Sequence, residues 1–281
     1  MLLLAGATAL AAEEPAPAEA PAPAAPAPEP ASAEPAKFFD WKWEGAIGPI
    51  VSLSPEYSGS AARKVSVVPG FYLRYGRISI SNASGFVTRR SNDDILRGLG
   101  LDMVRNNRVR VNLALRIDNG RRSSGSKALA GIEDVRRTLR GRASVTWQLD
   151  DGWKVTGGWT ADLLGRGGGN LFDAGVSHDR RISPDTTWSI GAGLSAGDHR
   201  YLQSYYGVNA SESAASGYPV YTPGAGLRDV AIGTGWRTEI NPRWVALWGG
   251  SVGRLLGPAA ASPLTTSTRQ WGVSAGIAWR F

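Results

Sequence analysis

The last dozen residues constrain this chain most. In Gln270–Phe281 one face carries Trp271, Val273, Ala275, Ile277, Trp279 and Phe281, and the other carries Gln270, Gly272, Ser274, Gly276, Ala278 and Arg280. A period of two with one apolar face marks a β-strand, and this one is long enough to cross a bilayer when tilted. The pattern recurs. Val109, Val111, Leu113, Leu115 and Ile117 alternate with Arg108, Arg110, Asn112, Ala114 and Arg116. Leu139, Gly141, Ala143, Val145, Trp147 and Leu149 alternate with Thr138, Arg140, Arg142, Ser144, Thr146 and Gln148. Trp153, Val155, Gly157, Trp159, Ala161 and Leu163 alternate with Lys154, Thr156, Gly158, Thr160 and Asp162. No run of about 18 apolar residues occurs anywhere, so a spanning helix is excluded.

Weaker strands are expected at Glu44–Leu53, Lys64–Arg74, Arg77–Ser84, Ile95–Val104, Leu171–Ile182, Thr186–Ala196, Gly226–Ile240 and Arg243–Gly253, which brings the count to about twelve. Their connections alternate in length. Short turns fall at Tyr75-Gly76, Arg105–Asn107, Asp150–Gly152, Ser183–Asp185 and Asn241-Pro242. Longer loops fall at Ser54–Arg63, Gly85–Asp94, Asp118–Val135, Gly165–Asn170, Gly197–Ala225 and Arg254–Arg269. Short periplasmic turns and long outer loops give this rhythm in outer-membrane barrels.

A soluble β-sandwich also alternates, but it would shelter its tryptophans centrally. Here Trp147, Trp153, Trp244 and Trp279 stand near strand ends that meet short turns, where an aromatic girdle belongs. The expected fold is therefore all-β: a transmembrane, antiparallel, up-and-down barrel of about twelve strands spanning residues 43–281. Hydrocarbon leaves no partner for an open edge, so the first and last strands should pair. Trp279 and the terminal Phe281 suit an insertion signal read by assembly machinery.

Ahead of the barrel, Met1–Ala12 reads as a signal-peptide core ending in Ala9-Leu10-Ala11, without the usual preceding basic segment. The alternative is a buried N-terminal helix. Residues 13–42 are dominated by Pro, Ala and Glu as far as Lys37 and cannot bury a core. They read as a passive spacer or as a docking arm in the periplasm.

Chemistry is sparse. The absence of Cys removes thiol nucleophiles, disulfides and Cys-ligated metals. Of the two histidines, His178 should face outward beside Arg180, and His199 lies in the longest loop; neither has a Ser and acid partner in a nearby motif. Asp93-Asp94 and Asp150-Asp151 are turn carboxylates, and Gly165–Asn170 lacks the Lys-Ser/Thr of a phosphate loop. Neither metal-ligand spacing nor a cofactor motif is present, and no catalytic residue is assigned. The net charge of +7 permits an anionic partner, but no nucleic-acid-binding motif accompanies it.

The charges placed on inward positions are more informative. Arg108, Arg110, Arg116, Arg140, Arg142, Lys154, Arg237 and Arg280 should point into the lumen, together with Arg74 and Arg77. Asp102, Asp162, Asp173, Asp179, Asp229 and Glu239 should oppose them. Two readings follow: a salt-bridged interior that keeps a narrow barrel shut, or a basic lumen that admits anions. In the longest loop Asn209 can cap a short helix over Ala210–Ser216, with Glu212 at its third position and Gly217 as its stop. The surrounding tyrosines would either pack the loop into the barrel mouth or offer a partner surface. Asp229 should point inward and Arg228 outward, at headgroup level.

That loop also carries a resemblance. Tyr201-Leu202-Gln203-Ser204-Tyr205-Tyr206-Gly207-Val208, Ser213-Ala214-Ala215-Ser216-Gly217-Tyr218-Pro219-Val220-Tyr221 and Gly224-Ala225-Gly226-Leu227-Arg228-Asp229-Val230 resemble the MipA/OmpV family, known as MltA-interacting protein in enteric bacteria. Pro55–Ser60, Arg97–Gly100 and Ser262–Leu264 add shorter matches, and the resemblance covers Trp43–Phe281. It implies an outer-membrane protein without catalytic residues that acts as a scaffold between a lytic transglycosylase and a peptidoglycan synthase. The alternative is a narrow channel for small, perhaps anionic, solutes. A hydrolase or acyltransferase has the least support, because its residues are missing.

Overall fold

The computed structural model describes residues 43–82 and 98–281. The signal-like segment, the Pro/Ala/Glu arm and the Gly85–Asp94 loop lie outside the described residues. Twelve antiparallel strands close into a barrel: β1 (Trp43–Pro55), β2 (Arg63–Tyr75), β3 (Ile78–Ser81), β4 (Gly98–Arg105), β5 (Val109–Asp118), β6 (Thr138–Gln148), β7 (Trp153–Asp162), β8 (Asn170–Arg181), β9 (Thr186–Gly197), β10 (Gly226–Glu239), β11 (Trp244–Leu255) and β12 (Arg269–Arg280). Each strand pairs with its sequence neighbour, and β1 pairs with β12. Both strand count and closure are as the alternation predicts.

Closure sorts side chains by parity. On β12 the odd-numbered Trp271, Val273, Ile277 and Trp279 are exposed, whereas Ala278 and Arg280 are buried. On β5 Leu113, Leu115 and Ile117 face out while Arg110, Asn112 and Ala114 are buried inside. The outer wall is thus an apolar belt that only hydrocarbon can cover. Trp43, Trp147, Trp153, Trp244 and Trp279 ring it at the end of the short turns. No helix among the described residues is long and apolar enough to cross a membrane. Leu113→Arg, placed midway along the lipid-facing row of β5, should cost about 2–4 kcal/mol of barrel stability, read as a lower urea midpoint in lipid vesicles. An unchanged midpoint would mean that this face does not meet lipid.

The seam between β1 and β12 has a local weakness. Gly45 and Phe281 exchange both backbone hydrogen bonds, so every second rung from there should do the same. Pro49 and Pro55 fall on those rungs and have no N–H to give. The register accordingly skips Gly48 and Pro49 and stops at Leu53↔Val273.

Candidate functional site

The barrel interior has two unlike walls. Along β9–β12 and β1 the inward positions are mostly Gly and Ser, including Ser189, Gly191, Gly233, Gly235, Gly249, Ser251, Gly272 and Ser274. These line a cavity of about 720 Å³. Across it, from β2 to β8, stand the charges. Arg74 pairs with Asp102, Arg140 with Asp118, Lys154 with Asp179 at 2.7 Å, and Arg142 with both oxygens of Asp173 at 2.5 and 2.6 Å. The Arg142–Asp173 pair runs from β6 to β8 over β7. It clears that strand because the residue beneath is Gly158, whose Cβ would lie 2.4 Å from the Arg142 guanidinium. At the turn end Glu239 accepts from Arg237 at 2.8 Å and from Arg280 at 3.3 Å.

The expected lumen charges occupy different environments. Arg110, Arg140, Lys154 and Arg280 are buried, and Arg142 and Arg237 are half-buried. Asp162 closes the β7–β8 hairpin, accepting from Thr138 Oγ1 and from the backbone of Leu164 and Gly168. Two positions depart from expectation. Arg108 is exposed in the turn before β5, where the Asn106 side chain accepts from its N–H. Arg116 stands opposite Arg140 in register but is exposed, because the Asp118 carboxylate goes to Arg140.

A lid covers the long-loop end. Its first helix, α1 (His199–Tyr206), starts from an Asp198 cap whose carboxylate accepts from Tyr201 N–H at 2.7 Å. Burial alone would raise the Asp198 pKa, but hydrogen bonds from Tyr201 and Asn170 outweigh it and hold the carboxyl below its usual range. The second helix, α2 (Ala210–Ser216), is the one the sequence predicts. Asn209 and Glu212 form a reciprocal capping box, and Gly217 ends the helix in the left-handed region at φ 78°. A third, α3 (Gly257–Ala260), lies in the last loop. The helix expected in the longest loop is thus present, and α1 and α3 are additional to it. Asp198 was the missed signal for α1, and Pro258 at the first turn was the missed signal for α3.

Two apolar clusters sit inside the lid. One joins Tyr201, Leu202 and Tyr206 to Leu255 and Ala259; the other joins Leu129, Ile132, Val208 and Leu264. Leu202 and Val208 are 0% exposed and Tyr206 is 1% exposed. The tyrosine hydroxyls tie the loops to one another. Tyr57 donates to Leu264 O at 2.9 Å, Tyr218 to Ala128 O at 3.1 Å, Tyr221 to Pro258 O at 2.8 Å and Tyr205 to Asp118 at 3.0 Å. Tyr206 Oη lies 2.7 Å from Ser58 Oγ. Burial pushes the Tyr206 phenol up to about 12 and the Tyr205 phenol higher still, so both stay neutral. Buried Arg121 donates to Tyr205 O at 2.6 Å, and Glu212 accepts from the Glu133 N–H at 2.9 Å.

The remaining loop-motif residues are structural. Gly207 follows α1 where a Cβ would lie 2.5 Å from Gln203 O. Ser216 Oγ donates to Glu212 O, and Pro219 is exposed. Gly226 pairs with Gly197, and Leu227 opens a β-bulge. That bulge corrects the expectation for Arg228. As the extra residue between Leu227 and Asp229, it is released from strand parity. Its guanidinium pairs with Asp229 and donates to Tyr201 Oη at 2.8 Å instead of lying at headgroup level.

The two histidines have structural partners. His199 Nδ1 lies 2.7 Å from Pro223 O, and the His178 ring packs on Trp153 with centroids 4.8 Å apart. Among the described residues no group of three His, Cys, Asp or Glu side chains could hold a metal ion.

A family model described as MltA-interacting protein MipA matches residues 47–281, nearly the whole barrel. The chain belongs to the MipA family. A MipA barrel with this apolar belt is an outer-membrane protein. No curated protein matches the sequence. Among solved structures the MipA barrel is similar to the translocator domain of autotransporter NalP from Neisseria meningitidis, at 8% identity over 85% of this chain and 88% of that one, with a TM-score of 0.44. It is also similar to Pseudomonas putida OprB, at 7% identity over 85% and 94% with a TM-score of 0.43. The outer membrane channel DcaP of Acinetobacter baumannii is 10% identical over 85% and 96%, with a TM-score of 0.37.

Proposed function

We propose that this barrel is a non-catalytic outer-membrane scaffold for peptidoglycan-remodelling enzymes, and that it does not conduct. The observation that carries the second half is the lid: residues from four loops pack over the outer mouth and leave Leu202, Val208 and Tyr206 with almost no accessible surface. The first half rests on the family, which is named for an interaction with MltA. On this reading the lid closes the outer mouth, and the paired inward charges brace the barrel wall instead of selecting ions. The tyrosine-rich loop motif builds the lid, Trp279 and Phe281 serve assembly, and the Pro/Ala/Glu arm reaches into the periplasm. Partners would be a lytic transglycosylase and a peptidoglycan synthase, met at the short-turn end.

Two measurements on the refolded full chain test this. Planar bilayers should show no single-channel steps, and the immobilised barrel should retain a purified lytic transglycosylase. Steps with anion preference from the unaltered barrel, without retention of the enzyme, would instead support the narrow channel.

A further inference from the structure

The outer face of the barrel turns basic at one part of its loop-end rim. Arg254 on β11 and Arg269 on β12 are direct cross-strand partners. Both lie on the lipid-facing parity and both are exposed. Like charges placed directly opposite destabilise a sheet unless an anion bridges them. A third cation, Arg63 on β2, shares this face, its guanidinium 3.6 Å from the centroid of the Trp271 ring.

Backbone chemistry puts Arg63 there. Pro55 of β1 falls on the rung of Trp271 and has no N–H to offer the Trp271 carbonyl. Arg63 Nη1 reaches across β1 and donates to that oxygen at 2.6 Å. None of the three arginines forms an ion pair with a described carboxylate, whereas the inward charges of the same barrel are extensively paired.

We propose that Arg63, Arg254 and Arg269 form a binding site for the phosphate groups of a phosphorylated glycolipid in the outer leaflet. Guanidinium forks match phosphate oxygens, and the headgroup layer starts where the apolar belt ends. Trp271 and Val252, exposed just below the arginines, would pack against the lipid's sugar and acyl chains. A free phosphate shares the charge chemistry but gains nothing from those two side chains.

The test uses the full chain refolded in detergent micelles and titrated with lipopolysaccharide, with the same lipid stripped of its phosphates, and with inorganic phosphate. The Arg254→Gln/Arg269→Gln variant should bind lipopolysaccharide at least about tenfold more weakly than the unaltered chain, because two charge-assisted contacts are lost. The dephosphorylated lipid should bind both proteins equally. Arg122→Gln/Arg200→Gln, which removes exposed loop cations elsewhere, should bind as the unaltered chain does. Equal affinity of the unaltered chain and the rim variant for lipopolysaccharide overturns the proposal. Inorganic phosphate binding as tightly as the lipid also overturns it, by assigning the site to a free anion. Should the double variant fail to refold, Arg269→Gln alone, exposed at a strand start, gives the same comparison.

Discussion

Excising the lid should turn a silent barrel into a conducting one. Gly197 and Gly226 are cross-strand partners, so the loop between them can be replaced by an Asn-Gly turn without disturbing the β9–β10 register. The excision removes α1 and α2 and exposes the inner face of Leu255 and Leu264. It also takes Tyr205 away from Asp118 and Tyr201 away from Arg228. A milder variant, Tyr206→Ala, empties one fully buried site and should cost the lid about 3–5 kcal/mol, as large-to-small aromatic changes do. The full excision should give discrete current steps, and Tyr206→Ala should give brief, flickering ones. Limited proteolysis supplies a second readout: cleavage in the lid should be slow in the unaltered chain and fast in Tyr206→Ala. Silence of the excised barrel at every voltage would place the block lower, in the paired arginines and carboxylates of the lumen.

Gly48→Val should prevent the barrel from closing. A Cβ at this position would lie 1.9 Å from Ile277 O and 2.7 Å from Ala278 Cα, both backbone atoms of the partner strand. Backbone cannot rotate aside as a side chain can, so β1 and β12 would have to separate. Neighbouring Pro49 already withholds one rung of hydrogen bonds, and the seam has little left to lose. Overpacking alone costs roughly 1–3 kcal/mol, and an opened seam in lipid adds unpaired backbone groups at several kcal/mol each. The folded, heat-modifiable band on a gel should disappear. Gly157→Ala is the control, since a Cβ there meets nothing within 4 Å. Normal refolding of Gly48→Val would show that the seam tolerates separation and that this close approach is unimportant.

How much of this was legible follows from which forces are local. The strands were readable because parity in a closed sheet imposes a period of two on each strand separately. The α2 helix was readable because Asn209, Glu212 and Gly217 satisfy its ends locally, within the stretch 209–217. The lid as a whole was not. Ser262 donating to Tyr206 O, Tyr57 to Leu264 O and Arg121 to Tyr205 O join loops far apart in sequence, and no period announces them. Arg228 and Arg116 were misplaced for a related reason. A bulge cancels parity in the first, and competition for the Asp118 carboxylate decides the second.

The unlike walls of the lumen also make the barrel mechanically uneven. Ion pairs such as Arg142–Asp173 tie strands that are not neighbours, bracing β6 to β8 as a cross-strut braces a frame. Most of the opposite wall carries glycine and serine on its inner face and, among the described residues, has few such struts apart from Glu239 bridging Arg237 and Arg280 at the turn end. Lateral pressure in the membrane will therefore be taken up by the glycine side. Flattening of that side would shrink the cavity while the braced side kept its curvature, so the volume inside this barrel should fall as lateral pressure rises.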